Sequence, residues 1–287
     1  MKYGKAITIL VICIVIFAGL ATTVGIFSHQ GSGSFEYQSI RGRTVLIYGK
    51  GLYQHMSAQV APQGIAQDVI TLGIGIPLLL MAFFLAVRGS LRGRFLFTGT
   101  LGYFLVTYLF YSVMGMYNIM FLGYVILLSC SFYAFVLSLA DFEVKGLPQH
   151  FQPATPTRFA GGFLILNSIA IALMWLSIVV TPLLNGAIFP VELEHYTTLI
   201  VQGLDLAILL PLSFLSGWLF LRRRPAGYLL APVYLVFLTL LMTALTAKVI
   251  AMAMIGANVI PAIILIPLFN LTALWCTIRI FKNLNTR

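Results

Sequence analysis

The sequence predicts an all-α transmembrane fold, an eight-helix bundle with both termini in the cytoplasm. Three observations carry this. First, 60% of the 287 residues are hydrophobic and only 8% are charged, against ~25% charged and ~45–50% apolar in an ordinary soluble domain. Second, the apolar residues gather in continuous runs of the ~20 residues that a helix needs to cross ~30 Å of hydrocarbon. Third, the 17 Lys and Arg residues fall almost entirely on one side of the alternating loops. With a mean hydropathy of +1.01, a water-soluble globule could not cover its surface. Disorder fails because it needs low hydrophobicity. A β-barrel fails because the runs are continuous and do not alternate.

The elements follow in order. Ala6–Phe27 comes after Lys2 and Lys5. A short basic lead before an apolar stretch also fits a signal peptide cut near Ala21. The run continues to Phe27, long enough to span, so a retained helix is expected. The others are Val69–Val87, Phe95–Met114, Ile119–Ala140, Phe159–Thr181, Leu199–Leu221, Ala226–Met254 and Val259–Phe281. With the N-terminus inside, 13 of the 17 basic residues lie on the cytoplasmic side, from Lys2 to Arg287. Arg41, Arg43 and Lys50 lie outside, and Lys248 falls within a run. Excess Lys and Arg mark cytoplasmic loops, so the net charge of +10 needs no nucleic acid. The three cysteines sit in separate apolar runs without a Cys-x-x-Cys spacing and read as packing residues.

The plan is repeated. Pro77-x10-Arg88 followed by Gly93 matches Pro211-x10-Arg222 followed by Gly227. Residues 1–158 and 159–287 then form two four-helix halves. An even number of crossings gives both halves the same orientation, as in parallel transporter repeats. Between runs, Ser28–Asp68 is a long outer loop with a Gly31-Ser32-Gly33-Ser34 lead-in. Phe35–Ile40 and Thr44–Tyr48 around Arg41-Gly42-Arg43 predict a hairpin. Leu52–Val60 predicts a short amphipathic helix at the interface. Pro148, Pro153 and Pro156 predict an extended inner linker over 141–158.

Four short patterns occur together: Tyr48-Gly-Lys-Gly-Leu-Tyr53, Gly64-x-x-Gln67-Asp68, Arg88-Gly-Ser-Leu-Arg92-Gly93 and Asn118-x-x-Phe121-Leu122-x-Tyr124. They resemble patterns of a broad group of uncharacterised prokaryotic multipass integral membrane proteins. The resemblance is clearest over 45–140. It implies a similar helix layout and no activity, so no functional residue is carried over from it.

Ionisable residues at membrane depth are costly and are default functional candidates. Asp205 lies about six residues into the sixth run from outside, and Lys248 about six from the outer end of the seventh. At about 1.5 Å per residue both stand roughly 9 Å below the outer boundary, so they share a depth and could pair. Gln202 lies on the Asp205 face at i−3, and Pro211 should kink that helix. The structural reading is a closed ion pair joining two helices, or a snorkelling lysine. The functional reading is a substrate or ion site open to the outside. Asp68 opens the second run, where a carboxylate caps orphan N–H groups; it is also a site candidate. Asn118 and Asn258 read as caps. Asn270 and Thr277 share a face of the eighth run. Thr100, Tyr103, Thr107 and Tyr111 form a stripe at helical spacing, more often glue between helices than a path.

No histidine lies in a run, which disfavours a haem held by two intramembrane histidines. His55, His195, Glu192 and Glu194 fall in the outer loops and are weak metal candidates, since no ligand spacing joins them. No phosphate-binding or nucleophile-elbow motif occurs, and no cofactor is indicated. Thr246-Ala247-Lys248-Val249 resembles a microbial rhodopsin's Schiff-base lysine. The helix runs in the opposite direction, however, and the third run has no carboxylate counter-ion.

The leading expectation is a multi-pass protein of the cell membrane that binds or transports a small solute or ion. Its site would lie in the outer half of the bilayer and use Asp205, Lys248, Gln202, Asp68, Tyr103 and Asn270. One alternative is an accessory subunit packed against a protein partner or a second copy. The other is an outward-facing enzyme. The lipid bilayer is the partner common to all three, and nothing points to nucleic acid.

Overall fold

The computed structural model describes residues 2–285; Arg287, assigned above to the cytoplasmic side, lies outside the described residues. Eight helices are long and apolar enough to cross a membrane: α1 (Gly4–Phe27), α2 (Ala61–Val87), α3 (Leu91–Val113), α4 (Phe121–Ala140), α5 (Thr157–Leu184), α6 (Ile200–Leu221), α7 (Pro225–Met254) and α8 (Ala262–Lys282). The chain is an all-α bundle and a polytopic membrane protein. The one sheet among the described residues is a hairpin, β1 (Phe35–Gln38) against β2 (Thr44–Ile47), with Phe35 opposite Ile47 and Gln38 opposite Thr44.

Two helices form the centre. In α3 and α7, 61% and 67% of the most apolar stretch is buried, against 22–33% in the other six. Helices α1 and α2 pack on one another, as do α2 and α3, α3 and α4, and α4 and α1. In the second half α5 packs on α6, α6 on α7, and α7 on α8. The halves meet where α3 crosses α7 and where the first part of α2 leans on α7. In lipid no hydrophobic force separates helix from solvent, so close backbone approach through small residues drives such crossings. Gly99 of α3 is the contact: a Cβ there would lie 2.4 Å from Val236 Cβ and 2.7 Å from the Val233 carbonyl oxygen.

Helices α2 and α6 are not regular. Each contains one π-helical turn, Thr71–Gly75 and Asp205–Leu209, followed two residues later by Pro77 and Pro211. Proline lacks an N–H, and its ring clashes with the carbonyl four residues back. Those carbonyls belong to Gly73 and Ala207, inside the π turns. The wider turn accommodates the clash, so at Pro211, where the sequence predicts a kink, the helix carries a π bulge. The two helices then end alike. Arg88 lies over the Phe84 ring at 4.1 Å, and Arg222 over Trp218 at 4.6 Å. Gly93 and Gly227 press on the backbones of Leu85–Ala86 and Leu219–Phe220. Each of these correspondences spans 134 residues, as from Pro77 to Pro211.

The chain ends share one face. The Lys2 backbone N–H donates to Asp141 at 2.6 Å, and Arg94 pairs with the same carboxylate at 3.5 Å. Gln152 N–H donates to the Asn283 carbonyl at 2.9 Å. This is the basic face. The segment expected as an extended linker folds there instead, with a 3-10 helix over Val144–His150. Phe142, Leu147 and Phe151 are buried, and their apolar side chains draw the segment onto the bundle.

The opposite, loop face carries the two long connections, which clasp each other. Arg41 donates to the Thr197 carbonyl at 3.3 Å, and Arg41 and Arg43 both lie over the Phe189 ring. The Tyr196 hydroxyl accepts from Ser57 N–H at 3.2 Å. The amphipathic helix expected over Leu52–Val60 is not formed. A single 3-10 turn, Gly51–Tyr53, stands there. Leu52, Tyr53 and Met56 are all buried, so the segment plugs into the bundle and does not lie on a surface.

Candidate functional site

Asp68 is seven residues inside α2, about 10 Å from its start at about 1.5 Å per residue, and is not its cap. The helix begins earlier because Pro62 occupies the first turn, where a missing N–H costs nothing. The Asp68 carboxylate is 2% exposed. Its Oδ2 accepts from the Tyr53 hydroxyl at 2.5 Å and its Oδ1 from the Tyr111 hydroxyl at 3.1 Å. Tyr53 comes from the plug and Tyr111 from α3. Gly25 of α1 makes room, since a Cβ there would stand 1.9 Å from Oδ2. Burial, with Tyr111 and Asp68 beside it, holds the Tyr53 phenol well above its ordinary value, so Tyr53 is a hydrogen-bond donor at neutral pH.

The network continues along the stripe of α3. Gln67 donates to Tyr103 at 2.8 Å and to Thr107 at 3.2 Å, and the Tyr103 and Thr71 hydroxyls are 2.8 Å apart. Tyr103 therefore meets the π turn of α2 at its first residue. The aromatic wall behind Tyr111 is Tyr108 and Tyr124, with Tyr111 and Tyr124 ring centres 5.2 Å apart. Gln67 Oε1 and the Tyr108 and Tyr124 hydroxyls are buried without a hydrogen-bond partner among the described residues. Unpaired polar atoms at this depth are costly.

Asp205 is the first residue of the π turn in α6. Its Oδ2 accepts from the Trp175 indole N–H of α5 at 2.8 Å. No hydrogen bond reaches Oδ1 among the described residues. Gln202, one turn earlier, is half-buried and makes no side-chain hydrogen bond. Lys248 of α7 is half-buried and within electrostatic range of both Asp68 and Asp205. It does not close a pair with either. The ion pair within 4.0 Å among the described residues is Arg94 with Asp141 on the basic face. The direct Asp205–Lys248 pair anticipated from equal depth is thus absent, because Trp175 holds Asp205 from the other side. Side chains leave a helix tilted toward its N-terminus, and α7 runs from the basic face outward, so the Lys248 stem sets out toward the membrane interior.

The remaining candidates go elsewhere. Asn270 of α8 bonds Thr243 of α7 at 3.2 Å, and Thr277 approaches Thr239 at 3.3 Å, forming a separate polar seam. Asn118 Oδ1 accepts from Met120 N–H and Asn258 Oδ1 from Ile260 N–H, both in the turns just before α4 and α8. His195 meets the His55 carbonyl at 3.0 Å. Among the described residues no three His, Cys, Asp or Glu side chains converge as a metal set, so Glu192, Glu194, His55 and His195 are not assembled. Sequence reasoning missed Tyr53 and Trp175. Both are brought in from other elements, and nothing local in either segment marks them.

Arranged this way, two carboxylates on two broken helices lie within electrostatic range of one ammonium on the helix that packs against both. The chain matches no protein-family model, no curated protein and no solved structure in the comparisons made.

Proposed function

We propose that this is a membrane-embedded binding or transport protein for a small solute or ion. Its site is the Asp68–Lys248–Asp205 group in the half of the bilayer next to the loop face. Its basic face is cytoplasmic in a plasma or inner membrane, by the bias of Lys and Arg. Residues 1–158 and 159–287 are parallel repeats, a reading supported by the paired π turns and basic turns 134 residues apart. The observation that carries the proposal is Lys248 within electrostatic range of two carboxylates and closing on neither. Charges at such depth are retained where they serve a pathway or site, and broken helices at a repeat interface are where transporters hold ligands.

A packed, structural role draws on one observation. The two surface clefts described, of about 360 Å³ beside Trp218, Leu219, Arg222 and Arg224 and about 310 Å³ beside Phe159, Leu271, Thr272 and Trp275, do not reach the three charges. A high-resolution map of the protein purified in lipid nanodiscs separates the two readings. Binding or transport predicts non-protein density in contact with Asp205 and Lys248. Direct carboxylate–ammonium contact with no density between them would refute it in favour of the structural role.

A further inference from the structure

Resting on the reading above, we infer that the ligand of this site is a single positive charge, a proton or a monovalent metal cation, taken at the free oxygen of Asp205. Within the loop-side half of the eight spans the charged side chains are Asp68, Asp205 and Lys248. Two carboxylates and one ammonium leave one negative charge uncompensated in a low-dielectric setting, where isolated charge is strongly disfavoured. An anion would double that imbalance. A divalent cation would reverse it. One proton or one monovalent cation closes it.

The geometry says which carboxylate takes it. The Asp68 carboxylate is enclosed: Tyr53 donates to Oδ2, the Tyr111 hydroxyl lies 3.1 Å from both Oδ1 and the Gly64 carbonyl oxygen, and Gly25 leaves no space beyond Oδ2. Asp68 is therefore closed to an added metal ion. Asp205 has one donor, Trp175, on Oδ2 only. One turn before it on α6 is Gln202, which makes no side-chain hydrogen bond among the described residues and can offer its amide oxygen beside Asp205 Oδ1. Hard oxygen donors of this kind suit a proton or an alkali cation. The charged and titratable groups around the site are Lys248, Asp68 with Tyr53, Tyr103, Tyr108, Tyr111 and Tyr124 about it, and Tyr234, whose hydroxyl caps the Leu209 carbonyl at the far end of the π turn at 2.8 Å.

Trp175 reports on the site directly. The other two tryptophans, Trp218 and Trp275, stand on exposed flanks and can be replaced together, W218F/W275F, leaving Trp175 emission alone. That protein, intact and reconstituted in nanodiscs, is titrated with Na⁺, K⁺ and Li⁺ against choline at constant ionic strength. It is then titrated with acid between about pH 9 and 5 in choline alone, the range over which a carboxylate at membrane depth takes up a proton. The expected result is a saturable change in Trp175 emission. Dependence on one alkali ion identifies a metal cation, and dependence on pH alone identifies a proton. Asp205→Asn should abolish the response while shifting the starting emission, which shows that the reporter still senses position 205. Asp205→Glu, which keeps the charge, should retain the response with a moved midpoint and controls for misfolding. A response that follows the anion, chloride against gluconate at fixed cation, would overturn the assignment and leave the binding reading standing. Silence toward every cation and toward acid, with the Asp205→Asn shift present, would overturn the cation assignment outright, and the nanodisc map then decides the binding reading by itself.

Discussion

Asp68 is held by hydrogen bonds from two tyrosines that reach it from different parts of the chain, and Tyr53 is the one whose chemistry can be followed in solution. Its phenol is kept above the ordinary value of about 10 by burial, so the folded protein retains a proton that the unfolded chain gives up as the pH passes that value. The stability this contributes is whole below about pH 10 and falls as the pH rises beyond it. Tyr53→Phe should destabilise the protein by about 1–3 kcal/mol at neutral pH, because a buried charged acceptor loses its donor. It should also flatten the alkaline decline. Thermal unfolding of both proteins across that range in one detergent measures each effect, and an unchanged neutral-pH midpoint would remove Tyr53 from the network. Legibility differs among these residues. Asp205 and Lys248 stand out because each interrupts an apolar run. Asp68 borders its run and was read as a cap, since its burial depends on Pro62 starting the helix earlier and on Gly25 receiving the carboxylate. Neither dependence is local.

Among the elements, the prolines of α2 and α6 were visible as helix disturbances, and the form of the disturbance was not. A kink and a π turn relieve the same clash, but only the π turn inserts a residue and rotates everything before it by about 100° around the axis. Pro211→Ala restores the missing N–H and removes the reason for the bulge. The expected outcome is a regular helix in which Asp205 turns away from Trp175. In the W218F/W275F background the emission of Trp175 should then match that of the Asp205→Asn variant. Emission identical to the parent would show that packing of α5 against α6, and not Pro211, sets the turn. The hairpin was readable from Arg41-Gly42-Arg43 between two β-prone stretches, and it formed within a residue or two of the expected limits. The neighbouring helix did not form, because Leu52, Tyr53 and Met56 had a core to enter that the stretch alone does not reveal.

For the whole molecule, the arrangement places α3 and α7 at the centre and joins the two parts of the chain in the bundle, through Gly99 and through α2 against α7, on the basic face through Gln152 and Asn283, and at the loops around Phe189 and Tyr196. The proposed orientation in the membrane rests on the bias of the basic residues and is open to direct measurement. Glu36→Cys on the hairpin and Lys145→Cys on the opposite face are both at exposed positions, while the natural cysteines lie within α1, α4 and α8. A membrane-impermeant maleimide added to intact cells should label the first and spare the second until the cells are opened. The reverse pattern would invert the topology and put the three charges in the cytoplasmic half.

The sequence by itself determined that this chain is a multi-pass helical membrane protein, how many times it crosses, and that Asp205 and Lys248 are its exceptional residues. Those features depend on composition and on spacing along one helix, where hydrocarbon leaves the backbone no alternative to internal hydrogen bonding. Only the tertiary structure brought Asp68 and Asp205 within electrostatic range of Lys248, with neither closing on it, and gave them Tyr53, Tyr111 and Trp175 as hydrogen-bond partners. The partners lie 15 to 43 residues apart in the chain. Contacts of that separation are set by how helices rotate and cross, which depends on glycines and on two π turns whose consequences appear only when the bundle is assembled.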